Sequence, residues 1–599
     1  MKIKKEPHEI FAEYEKGRDF NQSKDLYDNV EKNRRFFAGD QWHGVNAPDM
    51  TKPVFNIIKR VVSYFVAMLV SDDVGVHIAP FEDTPQNKAM ADILADEVVR
   101  VMERTKITAK TRRNIQNACT DGDTGIFINF DPDIETNQSY KGGVEAEIVE
   151  NTHVIFGNPY CTDVQKQPYI LVVQRLYTSQ VKDMAEEWGV SKSDIDDITS
   201  DEDNYPIEER NAESELTTVI TKFWKEKQKV KSTDQFGLEV ENTVTTVKSI
   251  KVTHQVVLKE ETDLEYKLYP LAWFSWEKVE NSYHGKSPIT GLIPNQIFVN
   301  KIYAMCMVYM TNMGFPRVFY DENKIAKLTN DVTKATAITN MDMAGKVIDA
   351  VKAPDFSNQI IQLIDSTIQY TKETMGASDA ALGEISNPNN TSAIVSVQQA
   401  SSVPLEIQKL DFYQFMEDIV RVLMDVMACT YGTRYVKITE SQAKDLNLIQ
   451  GYQPDMLGNP QPVYMTYAPI DFSVLKNVNY DLEVEIGQSS YWSEQTQVQT
   501  ADNLFDKQII SDPILYLECI PDKYIPNKRK IMDTIKQQQE EARQQQLMLQ
   551  RMQMQQQMGA PTEEEQPQVT RGMRDGVDNR GAANPELQNV YAQSKEFYQ

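Results

Sequence analysis

HGKSPITGLIPNQIFVNKIYAMCMVYMTNMGFPRVF, residues 284–319, carries its own start and stop signals. Ser287 offers a side-chain acceptor to the open amides of a helix start, and Pro288 suits the first helical position, where a missing N–H costs nothing. Gly314 followed by Pro316 ends the run. Between Ile297 and Met310 the only charged side chain is Lys301. A helix so apolar around its circumference must be covered by protein on nearly every side, in a core or at a subunit interface.

Residues 355–375 predict a second helix, with Ile360, Ile364, Ile368, Thr371 and Met375 on one face and Gln362, Asp365, Gln369, Lys372 and Glu373 on the other. Such a helix buries one face and turns the other to solvent or a water-filled space. The joining residues 315–354 hold two short strand-like runs, RVFYD and GKVIDAV. A third helix is expected from about 405 to 431, with Phe412, Met416, Ile419, Leu423 and Met427 inward and Asp411, Gln414, Asp418, Arg421 and Asp425 opposite. Pro404 should kink the run that begins at Thr391, because it removes a helical hydrogen bond and crowds the preceding turn. Between the second and third helices, MGASDAALGEISNPNNTSAIVSVQQAS (375–401) is small and polar, the composition of a loop.

Upstream, charged stretches at Asp19–Phe36 and Met90–Cys119 read as helical. KTRRNIQNACTDGDTGIFINFD (110–131) reads as a helix ending at Gly122 or Gly125, then the strand IFINF. Residues 217–259 are rich in β-branched side chains and predict successive antiparallel strands, preceded by an acidic loop, SKSDIDDITSDEDNYPIEER (191–210). Beyond Gly432, FSVL and YDLEVEI read as strands and Ser493–Phe505 as a helix. The fold class is α+β. Residues 537–559 are glutamine-rich helix formers with a loose Met/Leu stripe, and the composition from Ala560 onward is that of a disordered tail.

A chain of 599 residues is long for one core, so several substructures are expected. The longest apolar run, Val61 to Val70, is too short to span a bilayer, and no secretory leader follows MKIKKEPHEI, which places synthesis in a cytoplasm. Five cysteines without a CxxC pair read as reduced packing residues. Six scattered histidines show no zinc spacing, and neither a P-loop nor a GxGxxG is present, so no catalytic, metal or cofactor site is expected. DGDTG (121–125) lacks the further ligands of a calcium loop and reads as a turn. The methionines of 305–313 read as core packing. A net charge of −26 opposes a surface that grips nucleic acid but does not exclude one that lets DNA pass without sticking.

Four patterns together resemble the portal proteins of tailed bacteriophages, particularly the type of short-tailed phages. They are RRFFAGDQWHG (34–44), DGDTGIF (121–127), YHGKSPITGLIPNQIFVNKIYAM (283–305) with its internal Asn300, and the 375–401 stretch with Gly376, Leu382, Gly383 and a Thr-Ser. Their order spans roughly residues 30–430. The resemblance implies a ring of identical subunits, usually twelve, at one capsid vertex, made in the host bacterial cytoplasm, with a channel for DNA packaging and ejection. It implies the portal fold, with an α/β wing (1–280), stem helix 1 (281–314), a small clip (315–354), stem helix 2 (355–375) and a tunnel loop (376–392). The kinked helix and the rest of the wing follow (393–500), then a short helical crown (501–558) and the tail (559–599). It further implies double-stranded DNA, the terminase large subunit, major capsid and scaffolding proteins, and head-tail adaptor or tail proteins as partners, with no membrane and no enzymatic role. Tunnel-loop residues would be Gly376, Ser378, Asp379, Leu382, Gly383, Glu384, Asn387, Asn389 and Asn390. Ser287, Pro288, Asn300, Lys301, Asp365, Gln369 and Glu373 would belong to the stem, and Pro404 to the helix kink. The loop's acids without lysine or arginine would present negative charge to the duplex. Two other readings remain open on sequence: a metal-dependent DNA-processing enzyme using the acids of DGDTG and DPD, and a self-associating virion scaffold built on the glutamine-rich helix.

Overall fold

The computed structural model describes residues 3–48, 50–70, 77–80, 84–135, 140–201, 215–233, 239–313, 317–321, 323–324, 335–338, 348–351, 358–377, 403–454, 460–473, 480–483, 491–507, 509–510, 513–520, 525, 528, 531–532 and 534–535. They fall into two compact units, Met1–Glu494 and Gln495–Gln599.

The first unit opens with α1 (Pro7–Ser23) and α2 (Leu26–Ala38), two helices where the sequence reads as one charged run. Asp25 takes a left-handed conformation, φ 54°, and breaks the run. Helix α3 (Ile57–Leu69), capped by the Asn56 side chain, holds most of the longest apolar run. Strand β1 (His77–Pro80) precedes α4 (Pro85–Arg104) and α5 (Ile107–Asp121), which divide the predicted 90–119 helix at left-handed Lys106, φ 56°. Helix α5 stops at Gly122, and β2 (Asp123–Asp131) starts at once. The turn expected over 121–125 therefore contracts to Gly122, because Thr124 and Gly125 already sit in the sheet opposite Glu150 and Val149.

After β3 (Gly143–Glu150) come β4 (Val154–Phe156) and β5 (Tyr169–Tyr177), then α6 (Thr178–Glu187) and α7 (Lys192–Asp196). Helix α7 corrects the reading of 191–210 as loop throughout. The Ser191 hydroxyl caps it through the Asp194 amide, and Ile195 and Ile198 bury beside Val219. Strands β6 (Leu216–Thr233), β7 (Glu239–Val252) and β8 (Val257–Asp263) complete a five-stranded antiparallel sheet in the order β4-β5-β6-β7-β8. Strand β9 (Leu271–Ser275) pairs with β2 in a second sheet, β3-β2-β9.

The long apolar helix is α8 (Pro288–Met313), and it continues through Pro294. Residues 317–351 hold β10 (Arg317–Asp321), β11 (Ala335–Ile338) and β12 (Ile348–Val351), with β10 central, parallel to β11 and antiparallel to β12. The sequence indicated two of these strands; β11 is an addition. Helix α9 (Asn358–Thr374) follows, then a 3₁₀ turn (Val403–Leu405) and α10 (Glu406–Thr430). The five inward residues expected on α10 are all buried, and Phe415 packs 5.5 Å from Phe274 of β9. Burying each large apolar side chain contributes about 1.5–3 kcal/mol, so this one helix supplies a substantial part of the main core.

Strand β13 (Thr433–Lys437), α11 (Glu440–Asp445), β14 (Ile449–Pro454), β15 (Pro460–Tyr464), β16 (Tyr467–Asp471) and β17 (Tyr480–Glu483) end this unit. FSVL does not begin as a strand. Pairing stops at Asp471, whose carboxylate accepts the Ser473 amide and turns the chain. Strand β17 pairs antiparallel with β1, tying the late segment to the early one. The chain then enters α12 (Tyr491–Asp506). In the second unit, α13 (Pro513–Glu518) meets α12 through Phe505 and Tyr516, whose hydroxyl donates to Asp502 over 2.6 Å. The expected helix at 537–559 and the expected disordered tail lie outside the described residues. Among the described residues no helix is long and apolar enough to cross a membrane.

Candidate functional site

Three of the quoted patterns converge at the root of α8. The Ser287 hydroxyl accepts the Ile289 amide as a cap and donates to the Cys119 carbonyl over 2.6 Å, so the start of α8 is tied to the last turn of α5. Gly122 and Gly285 touch backbone to backbone. A Cβ on Gly122 would lie 2.6 Å from the Gly285 oxygen, and one on Gly285 would lie 2.7 Å from the Gly122 oxygen. Asp123, buried, accepts the Asn151 side-chain amide on Oδ1 (2.6 Å) and the Gly285 backbone amide on Oδ2 (3.0 Å), and that second oxygen also lies 2.8 Å from His284 Nδ1. Asp121 is bridged by Arg34 through Nε (3.1 Å) and Nη2 (2.7 Å), and Arg34 also reaches Glu150. Both acids of DGDTG thus present their oxygens to donors of the same chain, which removes them as open ligands for a metal-dependent reaction.

Two to three turns further along α8, Gln41 of the first pattern accepts from Asn300 over 2.6 Å, and Gln296 donates to Asn300 and to the Phe55 carbonyl. Gln296 and Asn300 are only 1% and 2% exposed, so the asparagine within this apolar helix is a buried anchor for the 41–57 segment. Sequence reasoning singled out Asn300 but missed Arg34, Gln41, Asp121, Asp123, His284 and Gln296 as partners. Their signal was the density of polar types inside the quoted patterns; which polar group meets which is set by folding.

Burial pushes the Asp121 carboxyl from 3.8 up to about 6, against the pull of Arg34. Between those values the folded chain keeps a proton that the unfolded chain has released, so this group favours the fold fully below pH 4 and the advantage is lost as pH rises to 6. Two pKa units correspond to about 3 kcal/mol as an upper bound. An Asp121→Asn variant, which does not titrate, is expected to gain on the parent across that window; denaturant midpoints that run parallel from pH 4 to 6 would refute this.

Helix α9 packs against α8, and the Asn295 side chain donates to Thr371 over 3.2 Å. Ile364 and Thr371 are buried while Asp365, Gln369 and Glu373 are exposed, as the amphipathic pattern indicates. Gln369 donates to Glu373 over 2.8 Å, and Lys301 is exposed. The expected covering of α8 is not met within one chain. Phe298, Met305 and Met310 are exposed, as are Ile361, Leu363 and Tyr370 of α9.

Helix α9 ends in a Schellman turn, with the Ala377 amide bonded to the Lys372 carbonyl and Gly376 left-handed at φ 71°. A Cβ there would lie 3.1 Å from Pro404 Cγ. The described residues on either side of 378–402 therefore lie side by side. Gly376→Ala should cost about 1–2 kcal/mol from the left-handed backbone, with the crowding against Pro404 added. An unchanged unfolding midpoint would contradict that contact. Pro404 sits in the 3₁₀ turn that leads into α10, whereas the run from Thr391 that it is expected to kink lies outside the described residues. Ser378, Asp379, Leu382, Gly383, Glu384, Asn387, Asn389 and Asn390 also lie outside them.

No curated protein shows a significant match to this chain. A family model described as the phage P22-like portal protein matches residues 12–575, spanning both described units. With that match covering nearly all of the 599 residues, the chain belongs to the P22-like portal protein family of short-tailed bacteriophages.

Proposed function

We propose that the protein assembles as a ring of twelve copies at one capsid vertex, through which double-stranded DNA is packaged and later ejected. In this reading α8 and α9 are the stem, β10–β12 form the clip that docks the terminase large subunit and later the adaptor or tail proteins, and residues 376–392 are the tunnel loop. The early helices and both large sheets, with the segment from β13 to β17, make the wing, and the residues from about 501 make the crown. Capsid and scaffolding proteins would meet the outer surface.

The supporting observation, beside the family match, is the set of apolar side chains that one chain leaves exposed on α8 and α9. Exposed apolar area of this kind marks an interface. Open residues on two different helices allow one helix of a copy to meet the other helix of the next, a head-to-tail contact that forms a ring where the rotation closes. The role is mechanical, a channel and platform.

Electron microscopy of the purified protein tests the assembly. Rings with a channel of about 20 Å or more, the breadth of a duplex, are expected; single compact particles across salt and protein concentrations would overturn it. Asp379→Lys combined with Glu384→Lys should impede packaging or DNA retention, by making the loop attract the phosphate backbone. Normal packaged length and infectivity in that variant would remove the tunnel-loop role.

A further inference from the structure

Helices α8 and α9 are tied at two levels. Near the body the Asn295 side chain donates to Thr371, and beyond their far ends Arg317 of β10 stands opposite Val351 of β12. The two helices therefore run antiparallel between these ties. Lys301 lies six residues after Asn295, and Asp365 six residues before Thr371. At helical rise both stand about 9 Å from the first tie, at one level of the pair. At about 100° per residue, each is also turned about 120° away from the shared contact. A right-handed helix turns in the same sense whichever way its chain runs. The same rotation, started from contacts that face each other, carries Lys301 and Asp365 to opposite sides of the pair.

Both residues are exposed, and among the described residues neither has a hydrogen bond or ion pair through its side chain. Lys301 is the only charge on α8. Phe298 and Met305, three residues before it and four after, are exposed on the same stripe, and Ile361 is exposed one turn before Asp365. The other charges of α9 are engaged: Glu373 accepts from Gln369, and Lys372 has a partner of its own. The cleft beside Lys301 also carries Asp28, Glu31 and Asp40. Glu31 pairs with Arg35, and Asp40 faces His43 over 3.3 Å, so Asp28 is the open acid there among the described residues.

We propose that Lys301 of one copy pairs with Asp365 of the next, with Phe298 and Met305 beside the lysine and Ile361 beside the acid. The inference rests on the ring reading and names a contact within its stem. Copies related by rotation about an axis running along the helix pair keep these charges at one level. A cation on one side and an anion on the opposite side then meet their complements in the two neighbours. Such a contact is head-to-tail, the kind that propagates until rotation closes it. Its main effect is register, since a slip of one helical turn, about 5.4 Å, sets each charge against apolar side chains.

Two single variants test the pair, because each spoils every contact alone and the two repair each other when mixed. Lys301→Glu sets acid against acid between copies, and Asp365→Lys sets lysine against lysine. Each should raise the concentration for half assembly at least about tenfold in about 0.1 M salt, and by less in about 0.5 M salt, with the urea midpoint of the fold unchanged. In an equimolar mixture, alternating copies match at every junction, which a ring of even number accommodates. Assembly should return, with both masses in each particle by native mass spectrometry. Lys301→Glu with Asp365→Lys in one chain should assemble as well. Parental assembly by either single variant, or a mixture in which the two stay apart, would overturn the proposal. Recovery of Lys301→Glu by Asp28→Lys in the same chain would also overturn it, by assigning the lysine to its own α2. A parental chain that stays single at every concentration would overturn pair and ring together, whereas complementation in open dimers would keep the pair and reject the ring.

Discussion

Replacement of Gly122 by alanine is expected to destabilise the first unit by at least about 3 kcal/mol and to strip the preparation of assembled particles. Two costs add. Gly122 has φ 104°, a region that penalises an L side chain by about 1–2 kcal/mol. Its Cβ would also stand 2.6 Å from the Gly285 carbonyl oxygen, where neither backbone can yield without lifting α8 off α5. Gly44→Ala separates the two effects, since Gly44 has φ 74° but nothing within 4 Å of an added Cβ. It should lose only the conformational part, about 1–2 kcal/mol. Equal urea midpoints for the two variants would show that the close approach of Gly122 and Gly285 is not what seats the helix.

Lys222→Met should cost about 3–5 kcal/mol, the usual consequence of leaving a buried charge without its partner. Lys222 is 0% exposed and lies in the five-stranded sheet; its ammonium donates to Glu13 over 2.6 Å and to the Lys4 carbonyl over 2.9 Å, above the ring of Tyr169. Burial pulls its pKa down, against the pull of Glu13. The pair pins α1 to the sheet beside Ile10, Tyr14 and Trp224. Adding Glu13→Leu to Lys222→Met should recover most of the loss, because an apolar pair of similar volume replaces two desolvated charges. A double variant whose loss equals the sum of the two single losses would show that the charges are not coupled.

For the function, the two tests separate different joints. The glycine contact governs how the apolar helix leaves the body, and the ion pair governs how the first helix is held on the outer sheet. A ring would need the first more than the second, since α8 carries the open apolar residues proposed to meet the next copy.

Much of the fold was legible in the chain itself. Ser287, Pro288, Gly314 and Pro316 marked the ends of α8, apolar spacing marked the faces of α9 and α10, and β-branched runs marked β6, β7 and β8. These signals are local: capping, proline geometry and a period of 3.6 or 2 act within a few residues. The four quoted patterns, in order, also pointed to the portal family. What the sequence could not state was contact between distant segments. The junction of Arg34, Asp121, Asp123 and His284, the reach of Gln41 to Asn300, and the pairing of β1 with β17 across some 400 residues join groups whose spacing along the chain carries no period. The acids of DGDTG looked free because a buried carboxylate and an open one have the same letters; only packing decides which donors reach it. The sequence by itself determined α8, α9 and α10, the buried faces of the last two, and the family. Tertiary structure decided which polar groups are anchors and which apolar residues one chain leaves uncovered, because burial is a property of surfaces brought together and not of neighbours along the backbone.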